Sequence, residues 1–296
     1  MLAQAQNKNF FDLSLFSGIY STFRKRNQRL VESYNRISTG NLLEYLIVAG
    51  GGSGGSQYYG GGGGGGGVLH GTSENFLNTS ITLTVGGQSN YDSNGNNSVF
   101  LSLTAIGGGR GRGHDFAVGN GGSGGGAGVE STTTVGTGTS GQGYDGGTAY
   151  YTPSAGKAGG GGGASHVGYN ASASKCGDGG NGYLSNISGL DVYYAGGGGG
   201  GSEYEGNPIG IGGLGGGGDG GLATSGNDAI ANTGGGGGGG GNPIGIGGRG
   251  ASGIVILKFP RFFVLTASAG LTGYNHEDNI YKIYTFTAGT GTVVLS

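Results

Sequence analysis

Cysteine occurs once in this chain, at Cys176, so no internal disulfide framework and few cysteine-based metal sites are open to it. Proline occurs four times in 296 residues and glycine is not spaced at every third position, which excludes a collagen-like triple helix. Charged residues make up only 10% of the chain and the formal net charge is −2, so the low-hydrophobicity, high-charge signature of disorder is missing as well. No apolar run approaches the roughly 20 residues of a membrane span. The N-terminal MLAQAQNKNFF puts glutamine, asparagine and lysine where a secretory signal would carry its apolar core. The four histidines, His70, His114, His166 and His276, are scattered and join no HExxH, GxSxG or CxxC pattern. His276-Glu277-Asp278 reads as a polar turn rather than a metal site, and His166 with Cys176 lacks the orienting partner of a nucleophile and base pair. A non-enzymatic role without metal or cofactor is the expectation.

What the chain has is glycine, 83 residues of it, much of it in runs such as Gly60 to Gly67, Gly196 to Gly201 and Gly234 to Gly241. Glycine-rich chain is ordinarily flexible, because ordering glycine costs more backbone entropy than ordering any other residue. Here the runs start and stop against hydrophobic strand-like segments that would hold both ends. One ordered state suits them: the extended helix of three residues per turn, which has no internal hydrogen bonds. Its N–H and C=O groups point outward and need partners, so stable runs must bond sideways to other runs. A bundle of polyglycine helices is therefore expected, with disordered loops as the alternative. GNPIGIGGLG at Gly206 to Gly215 recurs as GNPIGIGGRG at Gly241 to Gly250. The repeat reads as two equivalent excursions, with Asn-Pro turning the chain and isoleucine packing between helices, or as recent duplication.

Residues 10 to 37 carry the one helical pattern. Apolar positions step by three and four through Leu13, Phe16, Tyr20 and Phe23, then Asn27, then Leu30, Tyr34 and Ile37. This is a heptad register with a single asparagine at a core position, a device that fixes register in coiled coils. A wide stripe that includes Phe11, Leu15 and Ile19 suits a docked amphipathic helix equally well. Six of the fourteen Lys and Arg lie in the first forty residues, as a solvated helix face; nucleic acid is not expected as a partner.

Strand candidates are Leu42 to Ala49 (LLEYLIVA), Ile81 to Val85, Val99 to Ile106, Ser252 to Pro260, Arg261 to Thr266 and Tyr281 to Leu295. They cluster before residue 107 and after residue 251, and Ile81 to Val85 with Val99 to Ile106 could form a hairpin. Without helical crossovers the economical arrangement is an antiparallel sandwich.

The motifs EYLIVAGGGSGG (Glu44 to Gly55) and GGRGASGIVILKFP (Gly247 to Pro260), with glycine blocks between, resemble the glycine-rich domain of phage and other viral tail-fibre or appendage proteins. A looser similarity joins them to the glycine-rich region of anaplastic lymphoma kinase receptors. The resemblance implies a mainly β fold: a jelly-roll-like antiparallel β-sandwich over residues 41–296. It carries an inserted bundle of polyglycine II helices over about 107–250 and C-terminal strands over 252–296, and the helical segment 1–40 precedes it. It also implies a virion-surface or extracellular structural protein, released by lysis. Its partners would be its own copies, a trimer foremost, other virion proteins through the N-terminal segment, and a host glycan or protein. In the family a strand like YKIYTFTAGTGT often precedes EYLIVAGGG, whereas here it is C-terminal, free to fold back within its subunit or to join a neighbour's sheet. A filament subunit built by such strand donation is the alternative function, and ice binding a further one. Contact residues are sought among the loop tyrosines, Tyr58, Tyr59, Tyr144, Tyr150, Tyr151, Tyr169, Tyr193, Tyr194 and Tyr204, which offer rigid amphipathic area or else cap the glycine bundle sideways.

Overall fold

The computed structural model describes residues 43–74, 76–114, 116–152, 155–202, 208–243 and 245–296. The helix expected over residues 10 to 37 lies outside them, as does Tyr204. Thirteen strands are formed among the described residues: β1 (Leu43–Val48), β2 (Val68–Ser73), β3 (Ile81–Val85), β4 (Ser98–Phe100), β5 (Leu103–Ala105), β6 (Tyr150–Thr152), β7 (Ala155–Lys157), β8 (Tyr183–Ser185), β9 (Val192–Tyr194), β10 (Ile254–Pro260), β11 (Leu265–Ala267), β12 (Leu271–Glu277) and β13 (Tyr281–Leu295). Nine of them make one antiparallel sheet in the order β2-β1-β10-β13-β3-β4-β5, with β11 and β12 also on β13.

The spine of this sheet is β13. Its fifteen residues pair along one edge with β10 and then β3, and along the other with β12 and then β11. Both edges of the C-terminal strand are thus occupied by its own chain. The sheet curls until its outer strands approach, giving a near-closed barrel. At the seam the Gly67 N–H donates to the Ile106 carbonyl at 2.8 Å. Gln142 bridges the rest: its side-chain oxygen accepts from the Ile106 N–H, its amide donates to the Thr104 carbonyl, and its own carbonyl accepts from the Val68 N–H. One glutamine thereby satisfies groups of both sheet edges where no strand fits.

Alternation along β1 and its partners divides the apolar residues between two faces. Ile47, Val255 and Leu257 lie buried on one, while Leu46, Val48, Val68, Ile254, Ile256 and Ile283 pack on the other against Ile187, Tyr194 and Ala195. That second face is covered by the β8–β9 hairpin, which belongs to the glycine-rich middle of the chain. Strands do not stop at residue 107, as the sequence pattern implied: β6–β7 and β8–β9 are short hairpins within the middle. The expected strand Val99 to Ile106 is two strands, because Leu101 takes a left-handed φ of 56° and turns the chain back on itself. Of the expected strand Arg261 to Thr266, only Leu265 and Thr266 are extended, in β11.

The glycine runs bond sideways in a fixed rotation. In the run 60–67, the N–H groups of Gly60, Gly63 and Gly66 donate to carbonyls of 240, 237 and 234; those of Gly61, Gly64 and Gly67 to 112, 109 and 106; those of Gly62 and Gly65 to 159 and 162. Every third residue returns to the same neighbour. The run 196–201 does likewise, toward 215 and 218, toward 180 and 177, and toward 63 and 60. The runs at 50–55 and 60–67 share this network, which therefore begins well before residue 107.

Runs at the surface lack a third neighbour, and Asp or Asn side chains take its place. Asp178 and Asn181, three apart, accept from the backbone of Ile211 and Leu214 at 2.7 and 3.1 Å. Asp219, Asp145 and Asn97 serve Gly212, Gly138 and Gly107 in the same way. Gly206 and Asn207 of the first repeat copy and Ile244 of the second lie outside the described residues, so the Asn-Pro turn of the first copy does too, but the copies share one bonding pattern. Ile211 and Leu214 accept from Gly179 and Gly182, and Ile246 and Arg249 accept from Gly226 and Ala229. The isoleucines point outward, however: Ile211 and Ile246 are both exposed rather than packed between runs.

Arg249 also holds Asp228, with its backbone N–H on one carboxylate oxygen at 2.7 Å and its guanidinium on the other at 2.8 and 3.1 Å. Burial raises the Asp228 carboxyl, but these bonds outweigh it and leave it below its ordinary value. The pair's stabilisation is therefore complete above the unfolded value near pH 3.9 and is lost as pH falls through the lower folded one. Asp228→Asn keeps the backbone bond and removes the titration, so the melting temperature of the variant should fall less steeply on acidification. The effect is about 1 kcal/mol or less for so exposed a pair, and an unchanged acid limb would show that another group carries it.

A Cβ on Gly62 would meet the Gly198 carbonyl and the Gly161 N, each closer than 3.0 Å, whereas nothing lies within 4 Å of one on Gly87. Gly62→Ala is expected to cost about 2 kcal/mol or more, as overpacking does. Gly87→Ala should be neutral or stabilising by up to about 1 kcal/mol. Equal thermal unfolding of the two variants would contradict the tight approach of the runs.

Candidate functional site

Each run carries the chain between the sheet and an opposite, distal end. Gly67 leads directly into β2, while Gly60 follows the loop 56–59, so that loop marks the distal end of its run. The neighbouring run 234–241 is antiparallel to it and ends beside the same loop, since the Gln57 N–H donates to the Gly245 carbonyl. Gln57, Tyr58 and Tyr59 all have left-handed φ, 59°, 41° and 65°. Three consecutive non-glycine residues in that region are sparsely populated and are held only where surrounding bonds over-determine them. Here the holding groups are identifiable. The Tyr59 hydroxyl accepts from Asn242 at 3.1 Å, and its ring packs with Val129 and Ala158. The His114 N–H donates to the Ser56 carbonyl, and the His114 ring lies 4.6 Å from that of Tyr58 while its Nδ1 meets the Glu130 carboxylate.

The β6–β7 hairpin stands beside this loop, because Gly156 faces the Tyr59 ring and the Val129 side chain. Tyr150 pairs with Lys157 and carries its buried ammonium 5.7 Å from the ring centre. Tyr151 points out and is 56% exposed; Tyr58 is 44% exposed. The distal end thus brings Tyr58, Tyr59, Tyr150 and Tyr151 together from one loop and one hairpin, with the rings of Tyr58 and Tyr151 accessible.

The other tyrosines lie elsewhere. Tyr169 is exposed along the side of the runs, where its backbone bonds Asp178 and Gly160. Tyr144 lies near the sheet, exposed, beside Val68 and His70. Tyr193 and Tyr194 belong to β9 on the sheet face. Tyr194, at 4% exposure, is core, and burial raises its hydroxyl pKa; Tyr59, at 9%, is also packed inward. The rings of these two are packed inward and leave little area exposed.

Cys176 is buried, its thiol donating to the Gly201 carbonyl at 3.2 Å, and burial pushes its pKa up. That is the opposite of an activated thiolate. His166 meanwhile bonds Ser165. At the His276-Glu277-Asp278 segment, Asp278 accepts from the N–H groups of Ile280 and Tyr281, which makes it the cap of a turn. Among the described residues no cluster of His, Cys, Asp or Glu is arranged to hold a metal, and no helix is long and apolar enough to cross a membrane.

Sequence reasoning missed the residues that frame the sheet end: Gln142, His70 and Tyr183. His70 and Tyr183 stack at 4.8 Å with 20° between their planes. The signal available for them was weak, since β2 (VLHGTS) reads as a loop and YLS of β8 is only three residues long.

No curated protein and no solved structure matches the chain. A family model described as a glycine-rich domain matches residues 31–260, which spans the strand β1, every glycine run and the strand β10. By that match, and with the glycine runs bonded into one network between those two paired strands, the chain belongs to the glycine-rich domain family.

Proposed function

We propose that this chain is a non-enzymatic structural component of a virion surface appendage, a fibre, tail-tip or capsid decoration, whose glycine-rich region is displayed outward. In this reading the runs are polyglycine II helices and the curled sheet is a jelly-roll-like sandwich that holds them. The three-way rotation of the hydrogen bonds in runs 60–67 and 196–201 supports the first, since a helix of three residues per turn aims successive groups at three neighbours. At about 3.1 Å per residue, eight glycines would set the distal loops roughly 25 Å from the sheet.

One observation carries the recognition role: the distal loops place the exposed rings of Tyr58 and Tyr151 on a scaffold bonded through its backbone, next to three left-handed residues that the scaffold holds in place. Rigid aromatic contact area of this kind suits a host-surface protein or glycan. The virion setting comes from the resemblance of Glu44 to Gly55 and Gly247 to Pro260 to the glycine-rich domains of viral appendage proteins. Residues 1–40 would serve as the anchor or oligomerising segment, a trimer being the expected state.

Two measurements test this reading. Particles carrying Tyr58→Ala with Tyr151→Ala are expected to lose host attachment while the protein's melting temperature stays within a few degrees. Attachment at the original level would remove the distal loops from recognition. Light scattering after size exclusion should give a trimer for the full chain and a monomer for residues 41–296; monomers in both would make the N-terminal segment a docking anchor only.

A further inference from the structure

Two clefts open where the glycine-rich region meets the sheet, and they share a wall. One, of about 370 Å³, lies between the outer face of β1–β2 and the β8–β9 hairpin, and is bounded by Glu44, Thr72, Asn186 and Asp191. The other, of about 580 Å³, lies between β2 and the loop 140–145, and is bounded by Gln142, Tyr144, Asp145 and Ser165. His70 and Tyr183 line both, and their stacked rings stand between the two. Volumes of this size are those of small-ligand sites.

The wall is rigid for reasons visible in the strands. His70 is in register with the core residue Leu46, and Tyr183 with the core residue Tyr194. Gln142, at the rim of the larger cleft, is fixed by its bonds across the sheet seam. Ligand binding would therefore order little that is not already ordered.

The lining selects the chemistry. No lysine or arginine bounds either cleft, so an anionic ligand would find no counter-charge. Of the three carboxylates, Glu44 already pairs with Lys258 at 3.0 Å and Asp145 already accepts from the Gly138 N–H at 2.7 Å, and the exposed Asp191 alone supplies too few oxygens to hold a cation. What remains is a set of hydroxyls that donate and accept, amides whose nitrogens donate and oxygens accept, and carboxylates that accept, placed around aromatic faces. A sugar presents that combination: hydroxyls at its rim and an apolar C–H face that lies against a ring. A purely apolar ligand would leave the polar rim unpaired, at a cost of about 1–3 kcal/mol per buried group.

We infer that the paired clefts around the His70–Tyr183 stack form a binding site for a short neutral oligosaccharide, with one sugar unit on each side of the wall. The site is separate from the distal tyrosines and does not rest on the virion reading.

Saturation-transfer NMR of the full chain against a panel of neutral trisaccharides, maltotriose, cellotriose, chitotriose and mannotriose, tests it. At least one should give saturation transfer concentrated on its two terminal units, which lie on the two sides of the stack. His70→Ala should weaken that ligand by about tenfold, as loss of a central aromatic contact does. Tyr144→Ala, which removes an exposed ring from the larger cleft and leaves the core intact, should weaken it by a smaller factor. Tyr151→Ala at the distal end should leave it unchanged. Silence across the whole panel, unchanged affinity in both His70→Ala and Tyr144→Ala, or loss in Tyr151→Ala would each overturn the inference. The far-ultraviolet spectrum of each variant must match that of the parent, and Tyr183→Phe, which keeps the stack, should retain most of the affinity.

Discussion

The whole arrangement depends on backbones approaching each other more closely than a Cβ permits. Along the run 60–67 almost every added Cβ would fall within 3.0 Å of a neighbouring backbone atom, usually a carbonyl oxygen of another run. That closeness lets N–H groups leaving one run in three directions meet carbonyls at 2.7–3.0 Å. Glycine pays for this with the largest backbone entropy of any residue. The compensation is that every backbone N–H of the run 60–67 finds a carbonyl, where an unpartnered group would cost about 1–3 kcal/mol. Several side chains that enter the interior are very small, as at Ser53, Ser123, Ala127 and Ala158, all fully buried.

From that constraint follow the parts that are not glycine. A network of runs must end somewhere, and at its surface the missing neighbour is replaced by the short acceptor arms of Asp and Asn, spaced by three as the runs themselves are. Asp178 and Asn181 do this for one copy of the decapeptide repeat. Asp228 does it at Arg249 in the other, with the Ser225 hydroxyl accepting from the Ile246 N–H one turn earlier. The sheet meets the same problem at its seam and solves it with Gln142. Both devices let a polar side chain stand in for a strand or run that the topology does not supply.

Much of the sheet was legible in the sequence, because LEYLIV, ITLTV, IVILKFP and the alternation through residues 281–295 carry their burial in their composition. Two strands were not. In β2 only Val68 is buried, and in β12 no residue is, so neither has the apolar signal that marks a strand; each is held by pairing to β1 or β13. The break at Leu101 was hidden as well, since nothing in VFLSLTAI announces a left-handed leucine. That the glycine runs need sideways partners followed from elementary accounting of N–H groups. Which run bonds which did not, because one glycine run reads like another, and the register is set by the loops and the Asx arms at the ends. The tyrosines show the same limit: Tyr58 and Tyr59 are neighbours in one loop, yet one ring is exposed and the other is packed against Val129.

A scaffold of this kind separates two demands that most folds have to reconcile. In a core of interlocking side chains, changing a surface loop shifts its neighbours, because packing transmits strain. Here the runs hold each other through atoms common to every residue, and the loops attach only at run ends. The loop 56–59 illustrates the consequence. Its three left-handed residues are held by a backbone bond to Gly245, by the Asn242 contact to Tyr59 and by the backbone bond between His114 and Ser56, all from other run ends, while the runs behind it make the same bonds whatever the loop presents. Side chains at the run ends that hold no neighbouring run, such as the exposed rings of Tyr58 and Tyr151, can therefore change while the bonds between runs stay the same. A binding surface that must follow a changing partner gains most from such a division. The sheet end offers no such freedom: its clefts are walled by strands in register with the core, which suits a fixed ligand in place of a changing one.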